Sequence, residues 1–270
     1  MNDYFKDLNY IDYCLEHKLN ELKGIEIDLE AYGDITEKRN KKWSTIDPSN
    51  QVPSAPELDD LIRLHYLVTT RKVRTVMEFG VGKSTYIFTD ALKKNKVKYA
   101  DYVKENLRIS TPFELHSVEN NAGWLSIVVD NVGNEEVFHP HLSPLSMGTF
   151  NDRICTYYDG IPNIRPDFIY LDGPDQFSAG GAVRGINTNH ADRMPMAADL
   201  LAIEHFLEPG TLILVDGRTA NARFLKTNFQ RDWKHVHLAE EDQHIFELVE
   251  EPLGKWNKQA MDFTYNRDAE

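Results

Sequence analysis

The period of the apolar positions changes several times along this chain, and each change marks an element. Leu8, Ile11, Leu15, Leu19 and Leu22 recur at helical spacing and predict one amphipathic helix near the N-terminus. From Tyr32 to Pro56 the residues turn polar and Pro48, Pro53 and Pro56 interrupt them, which predicts a loop over the main domain. A lid and plain packing are both open for it. Leu58, Leu61, Ile62 and Leu67 then give a helix, with Ser54 or Ala55 near its cap and Pro56 at its start. A β-rich run at about Thr75–Phe79 follows, and after Gly80 and Gly82 the residues Tyr86, Ile87 and Leu92 return to helical spacing.

The same alternation continues. Glu114–Glu119 reads as a second strand, broken by Asn120, Asn121 and Gly123 before a helix at Trp124–Val129. A short third strand at Val137–His139 runs into a loop, His-Leu-Ser-Pro-Leu-Ser-Met. Asp167–Asp172 is a nearly continuous apolar run ending in an acid, the pattern of a buried parallel strand. A long loop rich in Gly, Asn, Asp and Arg spans residues 173–193; loops of that length in a compact domain are more often functional than idle. Met196, Leu200, Ile203 and Leu207 mark a helix, Thr211–Asp216 a fifth strand, and Ala222, Leu225 and Phe229 a further helix. His235–Ala239 and His244–Val249 form a hairpin across Glu240-Glu241-Asp242. The expected fold is α/β, a mostly parallel doubly wound sheet closed by that antiparallel hairpin. Residues 1–55 are expected to be an extension, 56–250 the domain, and 251–270 a polar, loose tail.

Composition narrows the function classes. A chain of 270 residues with 41% hydrophobic and 27% charged residues suits one large globular domain plus an extension. The net charge of −13 argues against a nucleic-acid partner, since phosphate contacts need clustered Lys and Arg. The basic residues between Lys93 and Lys104 read as a solvated helix and loop. No run reaches the ~18 apolar residues of a membrane helix, and the N-terminus lacks a signal-peptide pattern, so a cytoplasmic protein is expected. Cys14 and Cys155 give neither a disulfide framework nor a metal cluster.

The chemistry centres on Val73–Thr85, where strand, glycine turn and helix start follow one another. Such a turn lets the backbone approach a nucleotide-like ligand. Three strands end in the acids Glu119, Asp172 and Asp216, and open α/β sheets carry their sites at that end. Gly82-Lys83-Ser84-Thr85 looks like the tail of a phosphate loop, but that loop needs a Gly at 77, where Met stands. A dinucleotide fingerprint needs Gly at 85, which is Thr, and an acid ~20 residues on, whereas Glu119 lies 39 after Gly80.

Glu-Phe-Gly-Val-Gly-Lys-Ser at 78–84 resembles motif I of class I S-adenosylmethionine (SAM)-dependent methyltransferases. Val118-Glu119-Asn120 resembles that family's second motif, Phe168–Pro174 its fourth-strand motif, and Leu207–Asp216 its Pro-Gly turn and fifth strand. The likeness covers about residues 56–250 with the motifs in order. It implies Glu78, Gly80, Gly82 and Ser84 around the amino-acid end of the methyl donor, Glu119 and Asn120 at the ribose, and Ser143, with Pro144 and Leu145, near the adenine. Simple helix capping by Ser84 and Thr85, and a solvated strand end at Glu119, are the plain alternatives.

The acceptor side is less defined. Asp172 and Asp216 resemble two metal-binding carboxylates of catechol-type O-methyltransferases, but Gly217 stands in place of the Asn ligand and Asp175 in place of the catalytic Lys. A divalent metal at Asp172 and Asp216 is therefore not favoured. Without it a base must take the acceptor's proton, and Asp172 is the first candidate and His190 the second. A surface role for His190 is equally open. Asp175, Arg193 and Arg218 are expected to bind the substrate; Arg184, Arg193 and Arg218 bring positive charge that would suit an anionic group, with Arg218 pairing to a nearby acid as the alternative. The expected function is methyl transfer to a small molecule, at a hydroxyl; a methyltransferase-like binding or assembly protein is the second reading. A homo-oligomer stays open.

Overall fold

The computed structural model describes residues 4–32 and 57–266. The expected loop between Tyr32 and Pro56, with its lid role, lies outside them, as do Ser54, Ala55 and Pro56 at the expected helix cap. In chain order the elements are α1 (Tyr10–His17), α2 (Leu29–Tyr32), α3 (Leu58–Thr70), β1 (Thr75–Phe79), α4 (Lys83–Asn106), β2 (Glu114–Glu119) and α5 (Ala122–Val132). They continue with β3 (Phe138–Leu142), β4 (Leu145–Phe150), β5 (Arg153–Tyr158), β6 (Phe168–Leu171), α6 (Asp199–Ile203), β7 (Leu212–Asp216), α7 (Thr219–Asn228), β8 (Trp233–Leu238), β9 (Gln243–Leu248) and α8 (Lys255–Thr264).

Seven strands form one sheet in the order β3-β2-β1-β6-β7-β9-β8. β1, β2, β3, β6 and β7 run parallel, while β9 joins β7 antiparallel and carries β8 on the edge. This is the doubly wound, Rossmann-like sheet with a closing antiparallel hairpin that the strand order in the sequence predicts. Alternation of side chains along each strand supplies a core on both faces. Val76, Leu115, Phe168, Leu212 and Ile245 pack with α3 and α4 on one side. Met77, Phe79, Ile169, Leu171, Ile213 and Phe246 pack with Leu200, Leu201 and Leu225 of α6 and α7 on the other. Among the described residues no helix is long and apolar enough to cross a membrane.

Three regions depart from the expected pattern. First, the N-terminal stripe is turned: Ile11 and Leu15 are exposed, and Tyr13 and Cys14 face the domain instead. The Tyr13 hydroxyl sits 2.7 Å from both His65 Nδ1 and Thr69 Oγ1 on α3, so an aromatic ring with a polar tip joins Leu8, Leu19 and Leu22 in the docked face. The helix stops at His17 because Lys18 adopts a left-handed conformation (φ 54°). Second, the expected loop after β3 is a β4–β5 hairpin. Third, part of the expected loose tail is α8, whose Phe263 is buried and stacks on Tyr102 at the end of α4.

A buried amide ties the first crossover together. Asn95 of α4 donates from Nδ2 to the carbonyls of Val68 (3.0 Å) and Val73 (2.9 Å), which bracket the α3–β1 turn. Asn95→Ala strands both acceptors, and urea unfolding is expected to show a loss of about 2 kcal/mol. A loss below about 0.5 kcal/mol would mean that water reaches the two carbonyls.

Candidate active site

β2, β1, β6 and β7 end side by side, which brings Glu119, the glycine turn, Asp172 and Asp216 to one edge. The chain winds outward from β1 to β2 and β3, then crosses to β6 on β1's other side, so β1 and β6 flank the topological switch point where such folds bind ligands. There the two turns touch backbone to backbone. Gly173 N donates to Phe79 O at 2.6 Å, as does Asp172 N at 3.1 Å. Gly80 (φ 89°) needs its missing side chain, because a Cβ there would lie 2.9 Å from Gly173 N. Gly82 is different: its φ of 179° suits any residue, and a Cβ on it would meet nothing within 4 Å. The turn is therefore closed below Gly80 and open above Gly82.

Glu78, expected around the amino-acid end of a ligand, is fully buried beneath the turn. Its carboxylate accepts from Ser84 Oγ (2.5 Å), Thr85 Oγ1 (2.8 Å) and Ser117 Oγ (2.5 Å). Burial raises its pKa to about 7, against those three hydrogen bonds. Ser84 is thus directed inward, and Thr85 also accepts from Gly82 N at 3.0 Å. Together they fix the start of α4; Glu78 acts on the site by shaping the turn.

Glu119 bridges the turn to the end of β2. Oε2 accepts from Val81 N (3.1 Å), and Oε1 from Asn120 N and Asn121 N (2.8 Å each). Burial raises its pKa. The solvated strand-end reading is corrected by these contacts and by an exposure of 6%. Oε2 keeps one lone pair for a further donor, and Oδ1 of the next residue, Asn120, is buried with no hydrogen-bond partner. Trp124 Nε1 donates to Val81 O at 2.6 Å and holds the turn from α5.

Ser143 continues this edge. Its N–H donates to Glu119 O (2.9 Å) and its Oγ accepts from Gly160 N (3.0 Å). It lies in an open cleft with Leu142, Pro144, Asp159, Gly160 and Ile161. A more enclosed cavity of about 40 Å³, between Arg74, Asp167 and Asn257, lies at the opposite ends of the strands and has room for little more than water.

Asp172 and Arg218 come together. Arg218 Nε is 3.7 Å from Asp172 Oδ1, and a terminal guanidinium nitrogen donates to Pro174 O at 2.9 Å. The pairing alternative for Arg218 is therefore what the structure contains, while Nε itself has no hydrogen-bond partner. Enclosure by protein raises the Asp172 pKa, Arg218 opposes this, and Asp216 adds to it. Half of the Asp172 side chain is exposed to water (52%). Asp216 accepts from Tyr170 Oη at 2.8 Å. Asp172 and Asp216 do not appear among the described carboxylate and imidazole groups whose ligand atoms converge, and Arg218 already supplies the positive charge on Asp172.

The remaining expected residues lie on the long loop after β6, with Asp175 close enough for its charge to act on Glu119. His190 is exposed; its Nδ1 accepts from Asp192 N at 3.1 Å and lies 3.9 Å from the Asp192 carboxylate. Arg193 turns back to Asn187 O (3.2 Å), and Asp175 and Arg184 are exposed. The long loop that carries them is anchored: Met147 N donates to Gly180 O (2.9 Å), Gly180 N to Leu145 O (2.7 Å), and Ala198 N to Thr156 O (3.0 Å). The β4–β5 hairpin is its platform.

That hairpin also supplies Tyr158, which the sequence reading missed. Its hydroxyl is buried without a hydrogen-bond partner, its pKa is raised by burial and by Glu119 and Asp199, and it lies 2.7 Å from where a Cβ of Gly173 would be. The signal was present: Asn151 and Asp152, both at positive φ, form a two-residue turn between β-rich runs. Asp60 at the start of α3 was missed too. It pairs with Arg63, accepts from Gln243 Nε2 (3.2 Å), and its pKa is raised by burial and by Asp216.

No family model matches the chain, and none of the curated proteins does. Among solved structures it is similar to an S-adenosylhomocysteine (SAH)-bound methyltransferase from Podospora anserina, at 10% identity over 93% of this chain and 89% of that one, TM-score 0.42. An O-methyltransferase from Bacillus cereus in complex with SAH shows 12% identity over 75% and 84%, TM-score 0.37. The O-methyltransferase TomG from Streptomyces achromogenes in complex with SAM, involved in tomaymycin synthesis, shows 13% identity over 74% and 82%, TM-score 0.36. At such identities and scores no residue or reaction transfers to this chain, and its own geometry must carry the reading.

Proposed function

We propose that this protein is a SAM-dependent methyltransferase acting on a hydroxyl of a small molecule. One observation carries the reading: at the switch point, a glycine turn open above Gly82 is tied by Val81 N to a buried Glu119, and Oδ1 of the next residue, Asn120, has no hydrogen-bond partner. An acceptor lone pair on Glu119 and the Asn120 carbonyl suit the two hydroxyl donors of a ribose. The donor group, when bound, supplies an electrophilic methyl on a sulfonium.

The chain's own residues would do the rest. Glu78, through Ser84 and Thr85, holds the turn and the start of α4 in place. Asp172, exposed at the end of β6 and shifted toward neutrality, takes the acceptor's proton as its oxygen attacks. Arg218 keeps Asp172 oriented.

Titration calorimetry with SAM and with SAH tests this directly. Both are expected to bind one per chain, and Glu119→Ala is expected to weaken both at least about tenfold, the range of a lost charge-assisted hydrogen bond. Absence of binding by the wild type would refute the cofactor, and unchanged affinity in Glu119→Ala would refute its assigned role.

A further inference from the structure

A second group of chemistry-bearing side chains lies away from the strand ends, on the face of β2 and β3 at the sheet's edge. Parallel register sets His116 opposite His139 and Val118 opposite His141. Side chains alternate along each strand, so Glu114 and His116 of β2 share one face with His139 and His141 of β3. Pro140 between the two histidines has no N–H to donate, which suits an edge strand. Three ligand atoms converge there, one each from Glu114, His116 and His139, all within 4.8 Å of one another. Glu114 Oε2 is 2.8 Å from His116 Nε2 and 3.8 Å from His139 Nε2. These separations straddle the ~3.3 Å edge of a tetrahedron with bonds of about 2.0–2.1 Å.

We propose that Glu114, His116 and His139 form a binding site for a divalent transition metal of the zinc type. Two imidazoles and one carboxylate select such an ion over magnesium or calcium, which take oxygen ligands. Three protein ligands leave a fourth position to water. The surroundings fit a ligating role as well as the three atoms do. His116 Nδ1 lies 3.0 Å from His141 Nε2, so a His116 that ligates through Nε2 can donate its other ring N–H to His141, the outer contact that orients metal-bound imidazoles. His116 stacks between His139 (ring centroids 4.8 Å) and His141 (5.2 Å), which fixes its ring plane. His139 and Glu114 are 40% and 27% exposed, leaving an entry path from solvent. Bound metal would clip the edge strand to its neighbour.

A contrasting group shows that stacked histidines alone do not suffice. His235, His237 and His244 stack toward the opposite edge, where His244 contacts His235 Nε2 (3.1 Å) and the Thr219 hydroxyl (3.0 Å). Among the described residues no carboxylate joins them in a converging set.

The test is calorimetric titration of the full, tag-free chain with Zn²⁺ alone, paired with thermal melting in the presence and absence of Zn²⁺. The wild type is expected to bind one Zn²⁺ and to melt at a higher temperature with it, because the ion binds only the assembled site. His139→Ala and Glu114→Gln alter half-exposed positions. Each is expected to melt like the metal-free wild type, to weaken Zn²⁺ binding at least tenfold and to lose the melting shift. His237→Ala is expected to change neither. No saturable binding by the wild type, wild-type affinity in His139→Ala, or an equal loss in His237→Ala would each overturn the proposal. The readout is independent of SAM, so its failure leaves the methyltransferase reading standing, and the reverse also holds.

Discussion

Gly173→Ala is expected to lower the unfolding free energy by about 3 kcal/mol, the upper range for overpacking a filled site. A Cβ at this position would lie 2.7 Å from Tyr158 Oη, 2.8 Å from Gly80 N and 2.9 Å from Phe79 C. Only the first of those atoms belongs to a side chain, and Tyr158 is buried and cannot swing away. The two backbone contacts belong to the turn after β1, so relief requires β1 and β6 to part at their ends. Gly82→Ser is the matched control. The backbone there is extended, a Cβ meets nothing, and Ser caps a helix at least as well as Gly, so stability is expected to stay within about 0.5 kcal/mol. Urea unfolding of the two variants separates them: similar losses would show that the turns do not meet as closely as described. Calorimetry adds a second contrast, since Gly82→Ser places a hydroxymethyl group in the space where the proposed ligand enters. It is expected to reduce SAM affinity while leaving the fold intact.

How far the sequence already disclosed this arrangement depends on the range of the interactions. β1, β6 and β7 were readable because both faces of each are covered, which leaves unbroken apolar runs such as Phe168–Leu171 ending at an acid. The closing hairpin was readable from its turn. β4 was not, because Leu-Ser-Met-Gly-Thr-Phe covers one face thinly and follows a Pro that looks like a loop signal. The N-terminal stripe misled for a related reason: leucine spacing describes a helix, but the partner on α3 selected Tyr13 and Cys14. Among the candidate site residues, Glu119 and Asp172 were legible as strand-end acids. Their contacts were not, since the hydrogen bond from Val81 joins residues 38 apart and Arg218 reaches Asp172 across the gap between two strands. Glu78 shows the limit most clearly. Its position in the motif was readable, while its enclosure by Ser84, Thr85 and Ser117 depends on the β1–β2 register that pairs Glu78 with Ser117. The Glu114–His116–His139 group depends in the same way on the β2–β3 register.

The contribution of Asp199 to stability is expected to fall as pH rises from about 4 to about 7, and Asp199→Asn is expected to remove that fall. Asp199 starts α6 nearly fully buried; Oδ1 accepts from Tyr158 N at 3.1 Å, and Oδ2 has no partner. Burial pushes its pKa from 3.8 to about 7. Because the folded-state value is the higher one, the unfolded chain loses its proton first as pH rises, and between those two values the folded state holds the extra proton. Folding is therefore penalised progressively across the window and by a constant amount above it, about 4 kcal/mol at 1.36 kcal/mol for each tenfold step. Glu78, raised from 4.5 to about 7, acts in the same direction over its own interval. Asn keeps the acceptor for Tyr158 N and carries no charge. Its advantage over the wild type is expected to grow by about 1 kcal/mol between pH 6 and pH 8. The unpartnered amide costs about 1 kcal/mol or more, but equally at both pH values, so the difference isolates the titration. Urea unfolding of both proteins at the two pH values measures it, and an advantage that does not change with pH would show that Asp199 is ionised as readily in the fold as outside it.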